Sequence, residues 1–220
     1  MPNPFPRPGL LPAVLILLLA LPAPARAQAG SIEGRVQLPS AAPRRTASRY
    51  PGAAPASRTA QEIPAVAYIQ GAVAGAVAVA PANPALAQQD TAFSPNVLIV
   101  PVGTTIQFPN RDPFFHNVFS YSSNERFDLG RYPRGESKSV VFDQPGVVKV
   151  YCEVHESMRA AVVVTENPFH ALVAADGTFT LVGVPAGVRS LVVWHVDLGE
   201  VKAEVSVPAG GTARVELTLG

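Results

Sequence analysis

Three side chains that bind soft metals sit in one short run, Tyr151-Cys152-Glu153-Val154-His155-Glu156-Ser157-Met158. A thiolate, an imidazole and a thioether at intervals of three form a ligand set suited to copper. The run follows a strand-like stretch, so a turning loop can aim all three at one point. A fourth ligand is available in His116, within the apolar block Phe114-Phe115-His116-Asn117-Val118-Phe119. Two imidazoles and a thiolate accommodate both Cu(I) and Cu(II), and a weak axial thioether from Met158 disfavours Cu(II). Phe114, Phe115, Phe119, Phe142 and Tyr151 are expected to keep water out. Asn117 is the expected outer partner, placed to tie the His116 segment to the cysteine loop.

Each of these residues has a blander role available. A lone cysteine is commonly a small buried hydrophobe, and His116 can be a core histidine. Zinc is a further alternative, although a thioether is a poor zinc ligand. The composition removes other classes. There is one cysteine in 220 residues, and one of the two methionines is the initiator. That excludes an intramolecular disulfide, a four-cysteine zinc site and a two-cysteine redox motif. A binuclear copper centre needs bridging cysteines, and a multicopper oxidase needs paired histidines, which His170 and His195 are not. No serine–histidine–acid set and no phosphate loop is present, so the chain is not expected to be an enzyme. A formal charge of +1 argues against a nucleic-acid binder, which should carry a basic face.

The elements that must position these residues read as short strands. Residues 1–29 carry Arg7, a twelve-residue apolar run from Leu10 to Leu21, and small residues ending Ala27-Gln28-Ala29. This pattern predicts a secretory signal, too short to span a bilayer. Export to an oxidising compartment is expected, with a bacterial periplasm fitting best. Removing Arg7 and Arg26 leaves fifteen basic and sixteen acidic residues (17 − 2 against 16), near −1. A strand is predicted at 32–38, a Pro/Ala/Ser/Arg-rich flexible stretch at 39–62, a second strand at 64–70 and an extended small-residue loop or weak hairpin at 71–87. Strand-like runs follow at 97–100, 104–108, 117–120, 139–142, 147–151 and 161–165, separated by Gly, Pro, Asn and Asp. Five more lie at 169–174, 178–181, 190–196, 202–207 and 213–219. Asp176-Gly177 signals a hairpin turn, and Ala209-Gly210-Gly211 another turn. The fold class is therefore all-β. Trp194 is expected in the core, with His195 and His170 in ordinary structural roles. Arg111, Asp112, Arg126, Asp128, Arg131 and Arg134 are expected at solvated loop positions, where arginines could steer an acidic partner.

Residues 88–165 resemble the cupredoxins, the blue copper proteins. The resemblance rests on Asn96-Val97-Leu98, the run from Val102 to Asn110, His116-Asn117-Val118-Phe119, Phe142-Asp143-Gln144-Pro145-Gly146 and the run from Tyr151 to Met158. The ligand loop is of the amicyanin/plastocyanin type, its short spacing most like amicyanin's. The resemblance implies a Greek-key sandwich holding one copper ion through His116, Cys152, His155 and Met158. It also implies single-electron transfer between redox partners such as a cytochrome or dehydrogenase, with the His155 edge as the exit.

The last stretch, with Ala175-Asp176-Gly177-Thr178-Phe179-Thr180-Leu181, resembles the carboxypeptidase regulatory-like domain, a transthyretin-like β-sandwich whose opening strand is similar to Ser31-Ile32-Glu33-Gly34-Arg35-Val36. The expected organisation is a signal at 1–29, strands and Pro/Ala-rich loops of a second sandwich at 30–87, the cupredoxin at 88–165 and the rest of the second sandwich at 166–220. The cupredoxin would then be inserted into the second sandwich; the competing arrangement is an extended cupredoxin followed by a separate domain. The competing functions are copper delivery without a redox partner and a structural interaction module with a copper site.

Overall fold

The computed structural model describes residues 28–38 and 63–220. Residues 1–27 of the expected export signal and the expected flexible stretch at 39–62 lie outside the described residues. Among the described residues there is no helix, hence none long and apolar enough to cross a membrane. Sixteen strands make up the described chain. They are β1 (Ala29–Gln37), β2 (Val66–Ile69), β3 (Ala87–Gln89), β4 (Ala92–Ser94), β5 (Val97–Pro101), β6 (Thr104–Pro109), β7 (His116–Ser122) and β8 (Glu125–Tyr132). The remainder are β9 (Ser137–Phe142), β10 (Gly146–Tyr151), β11 (Arg159–Thr165), β12 (His170–Leu172), β13 (Thr178–Pro185), β14 (Gly187–His195), β15 (Gly199–Val207) and β16 (Thr212–Thr218).

These strands form two sandwiches. The inner one sets the five-stranded sheet β5-β11-β10-β7-β8 against the β6-β9 pair and the β3-β4 ribbon. Phe93, Ile106, Phe108, Val118, Phe142, Val148 and Val150 fill the space between. The outer one sets β13-β1-β16 against β12-β2-β14-β15, around Ile32, Ile69, Phe179, Leu181, Leu191 and Leu219. Alternation explains β1: Ile32 and Val36 are buried, while Glu33 and Arg35 face outward. Position 34 shares that buried face, and it must be glycine because a Cβ there would collide with the Phe179 ring.

The strand that opens the described chain thus pairs with strands that close it. β1 runs antiparallel to β13 and parallel to β16. β2 sits between β12 and β14. The chain leaves the outer sandwich after β2, builds the inner one, and returns through β12. The turn at Asp176-Gly177 forms, with Gly177 Cα in the left-handed region at φ +83°. It does not join a hairpin, however. β12 pairs with β2 and β13 with β1, so the turn carries the chain from one sheet to the other. The same holds for the turn at 209–211 between β15 and β16.

Strands β2 and β11, and residues 191–194 of β14, are buried on both faces. In β11, Ala160, Val162 and Val164 face the inner core, while Ala161 and Val163 face the outer sandwich. In β2, Ala67 and Ile69 face the outer core, while Val66 and Tyr68 face the inner sandwich. Val192 and Trp194 of β14 and Val97 of β5 complete this middle layer. A strand covered on both faces is a continuous apolar run rather than an alternating one. Trp194 is buried in this layer, 4 % exposed. Burial pushes the Tyr68 hydroxyl up to about 12, and the charge of Glu200 adds to the shift.

His170 on β12 is half-buried, and burial lowers its pKa from the ordinary 6.5. The unfolded chain therefore takes up the proton first. Stability is complete above the ordinary value and is lost as pH falls through it towards the lower folded one. A His170→Gln variant should show a smaller loss of urea midpoint between about pH 7 and about pH 5 than the wild type. An equal loss would show that other groups account for the acid sensitivity.

Candidate metal centre

The hairpin β10–β11 carries most of the site. β10 ends at Tyr151, which pairs with Arg159, and the seven residues between form a closed loop. Cys152 N donates to Met158 O at 3.3 Å, and Met158 N donates to His155 O at 2.9 Å. These two bonds fold the loop back on itself, so residues three apart return to one point. His116 opens β7, the neighbour of β10 through Tyr151 and Phe119. Pairing of β7 with β10 therefore brings His116 to the loop from 36 residues away.

The donors converge. Cys152 Sγ lies 3.6 Å from His116 Nδ1, and His155 Nδ1 lies 3.2 Å from the same nitrogen. All three ligand atoms fall within 4.8 Å of one another. With metal–nitrogen and metal–sulfur bonds of about 2.0 and about 2.3 Å, one ion can touch all three. His116 is fully buried, Cys152 is 4 % and Met158 1 % exposed, and His155 is partly exposed. Cys152 is a free thiol held away from solvent.

Asn117 sits where its expected bridging role needs it. Its Oδ1 accepts a 2.7 Å hydrogen bond from Glu153 N, directly after the cysteine. An Asn117→Ala variant should lose about 1–3 kcal/mol, since that N–H is left without its partner. Thermal unfolding of the metal-free protein would measure it, and an unchanged midpoint would show that the loop is held without this bond.

The aromatic shell differs from expectation. Phe142 is buried, but Phe115 is 57 % exposed. Phe114 is 41 % exposed and packs its ring 5.1 Å from that of His116 and 5.5 Å from that of His155. It covers the imidazoles from the solvent side. Phe119 and Tyr151 stack on each other at 5.8 Å and are only partly covered. They lie on the outer face of the sheet because they alternate with the inward-facing Val118 and Val150.

The largest departure is Asp112. It is not solvated but 4 % exposed, and its Oδ2 meets His116 Nε2 at 2.8 Å. Burial pushes this carboxyl up, but hydrogen bonds from Thr91 N, His116 and Asp90 N outweigh it and hold the group below the ordinary aspartate range. Arg111, Arg126, Asp128, Arg131 and Arg134 are exposed as expected, although Arg126, Asp128 and Arg131 lie on β8 rather than in a loop. Arg111 donates to Gln89, Arg126 stacks over Tyr121, and Arg131 pairs with Glu153 in the open, where such a pair contributes little. His195 Nδ1 accepts a hydrogen bond from Asp197 N.

Residues 83–165 match the family model for copper binding proteins of the plastocyanin/azurin family. They form a cupredoxin domain. Its donor set suits its metal: a buried thiolate and two imidazoles are ligands for copper. No curated protein matches the chain. Among solved structures, a copper-containing nitrite reductase from Thermus scotoductus SA-01 is similar at 29 % identity with a TM-score of 0.37, over 44 % of this chain. This chain spans 25 % of that reductase's length. A purple cupredoxin from Nitrosopumilus maritimus is similar at 32 % identity with a TM-score of 0.32, over 34 % of this chain and 84 % of its own. An amicyanin mutant with Cu(I) is similar at 22 % identity and TM-score 0.36, over 44 % of this chain and 97 % of its own. Leu86 is fully buried in the inner core.

Proposed function

We propose that this chain is a periplasmic single-electron carrier with one mononuclear type 1 copper ion. The supporting observation is the convergence of Cys152, His116 and His155, of which only His155 is partly exposed. His116 is held at the start of β7, and Cys152 and His155 on the β10–β11 loop closed by its own hydrogen bonds. When bound, copper supplies a one-electron couple whose two states accept the same soft donors. Met158 would add a weak thioether ligand, and Asn117 locks the cysteine loop to the strand of His116. Rigid donors keep rearrangement small when the oxidation state changes. His155 and Phe114, at the open side, are the electron's route to a redox donor and acceptor such as a cytochrome or dehydrogenase. The chain itself is a carrier and not a catalyst.

In the domain division that goes with this reading, the copper unit is inserted into a carboxypeptidase regulatory-like sandwich made of 30–87 and 166–220. The pairing of β1 with β13 and β16 supports it. Adding copper to the metal-free protein is the test. An intense absorption towards the red end of the visible spectrum, lost on reduction and regained on oxidation, is expected. Copper binding without that band overturns the reading. Copper exchange with a chelator faster than electron exchange with a cytochrome favours delivery instead.

A further inference from the structure

The tip of the β3–β4 ribbon is built around the Asp112 carboxylate. Asp90 N donates to Asp112 Oδ1 at 2.7 Å, and Thr91 N donates to Oδ2 at 2.9 Å. Asp90 and Thr91 are the two central residues of the hairpin turn between Gln89 and Ala92. Both are left-handed, at φ +55° and +56°. A two-residue hairpin turn with both φ positive is ordinarily filled by Asn-Gly or Gly-Gly. A β-branched threonine there is uncommon and strained. The conformation turns two adjacent N–H groups towards one side chain.

The receptor is tied to the same segment as its guest. Arg111 N donates to Gln88 O at 2.8 Å, and Asp112 N donates to Asn110 Oδ1 at 3.0 Å. Asn110 Nδ2 in turn donates to Phe114 O and Tyr132 O. Buried Gln88 donates through Nε2 to Phe108 O and to the Tyr132 hydroxyl. Asp112 is thus fixed on both sides, and its Oδ2, which also accepts from Thr91 N, meets His116 Nε2.

We propose that Asp112 is a positioning residue for the copper centre, orienting His116 and placing a negative charge behind it. A carboxylate only accepts hydrogen bonds, so His116 must carry its proton on Nε2 and offer Nδ1 towards Cys152 and His155. A charged partner on the far nitrogen also makes the ring a stronger donor. Stronger donation and a nearby negative charge both favour the more highly charged Cu(II) over Cu(I). The carboxylate would therefore oppose the Met158 thioether and hold the potential down. This inference rests on the copper centre described above.

The experiment is Asp112→Asn in the full chain, beside Asp112→Glu and the wild type. The amide removes the charge and turns a donor towards one of the two backbone N–H groups. D112N should still load with copper, while Cu(II) loses about tenfold of its advantage over Cu(I). That is a rise of about 59 mV for a one-electron couple, accompanied by a shifted copper electron-spin-resonance spectrum. The glutamate variant should return the potential towards the wild type. In the metal-free wild type, nitrogen-15 spectra should place the His116 proton on Nε2. An unmoved potential in fully loaded D112N, beside a wild type that shows the red-end band, overturns this inference alone. A wild type without the band overturns the carrier reading beneath it. Should D112N fail to fold, the wild-type spectrum decides: a proton on Nδ1 overturns the proposal.

Discussion

A Cys152→Ala variant folds, and copper added to it gives no intense absorption at the red end of the spectrum. The folding half of this expectation follows from size. Cys152 is a small buried side chain at the edge of the inner core, and losing its sulfur costs on the order of 1 kcal/mol of burial. The hydrogen bonds that close its loop are backbone bonds from Cys152 N and Met158 N, which alanine retains. The spectroscopic half follows from chemistry. The band arises from charge transfer between thiolate and copper, and Cys152 is the chain's one thiol. The Nδ1 atoms of His116 and His155 lie 3.2 Å apart in the wild type, so the variant is expected to hold copper weakly through imidazole. Copper titration followed in the visible region checks both halves. A band that persists without Cys152 would show that the colour comes from elsewhere and that the thiolate is not a ligand.

The second large effect is expected far from the metal. Val163→Asp should lower unfolding stability by about 3–5 kcal/mol, the cost of leaving a charge buried without a partner. Val163 is fully buried and points away from the copper core into the layer shared with Val66, Tyr68, Val192 and Trp194. The polar contact at the rim of this layer cannot make up the loss. Arg159 and Asp197 pair at 2.9 Å with side chains 22 % and 30 % exposed, and a pair so near solvent contributes about 1 kcal/mol or less. The apolar layer, not the ion pair, holds the two sandwiches together. Val182→Asp is the control: that valine is 73 % exposed, and a change there should stay within about 0.5 kcal/mol. Urea unfolding of the three proteins provides the comparison. If the two variants lost the same stability, the sandwiches would not depend on this layer.

Some of the site is legible in the chain because its chemistry is local. Cys152, His155 and Met158 lie within one loop, and their types alone select a soft metal. His116 was legible for a different reason. A histidine amid Phe114, Phe115, Val118 and Phe119 is an expensive choice unless its ring is used. The alternation of β1, β6 and β9 likewise shows which face each buries. β8 carries the same signal in Phe127 and Leu129 but was hidden by Arg126, Asp128 and Arg131 around them. Its partly buried apolar positions pack only on the rim of the inner core.

Asp112 could not be read this way. It stands between Arg111 and Pro113 in a polar stretch with no local feature to separate it from a solvated turn. Its partners, Asp90 and Thr91, are more than twenty residues upstream. Their turn lacks the glycine or asparagine-glycine pair that announces one. The double-sided burial of β2 and β11 had a trace in their unbroken apolar runs, but nothing in either run names the other as its cover.

The sequence by itself determined which atoms are available to hold copper, because donor type is a property of the side chain and the loop brings three donors together within seven residues. Only the tertiary structure decided what stands behind those donors. It set the charge on the far side of His116, the strand that delivers that ring, and the second sandwich that covers β11. The strand and the sandwich are contacts between segments far apart in the chain, and Asp112, four residues from His116, is held by Asp90 and Thr91 more than twenty residues upstream. Such a contact exists only once the sheets have paired and the backbone hydrogen bonds have fixed their register.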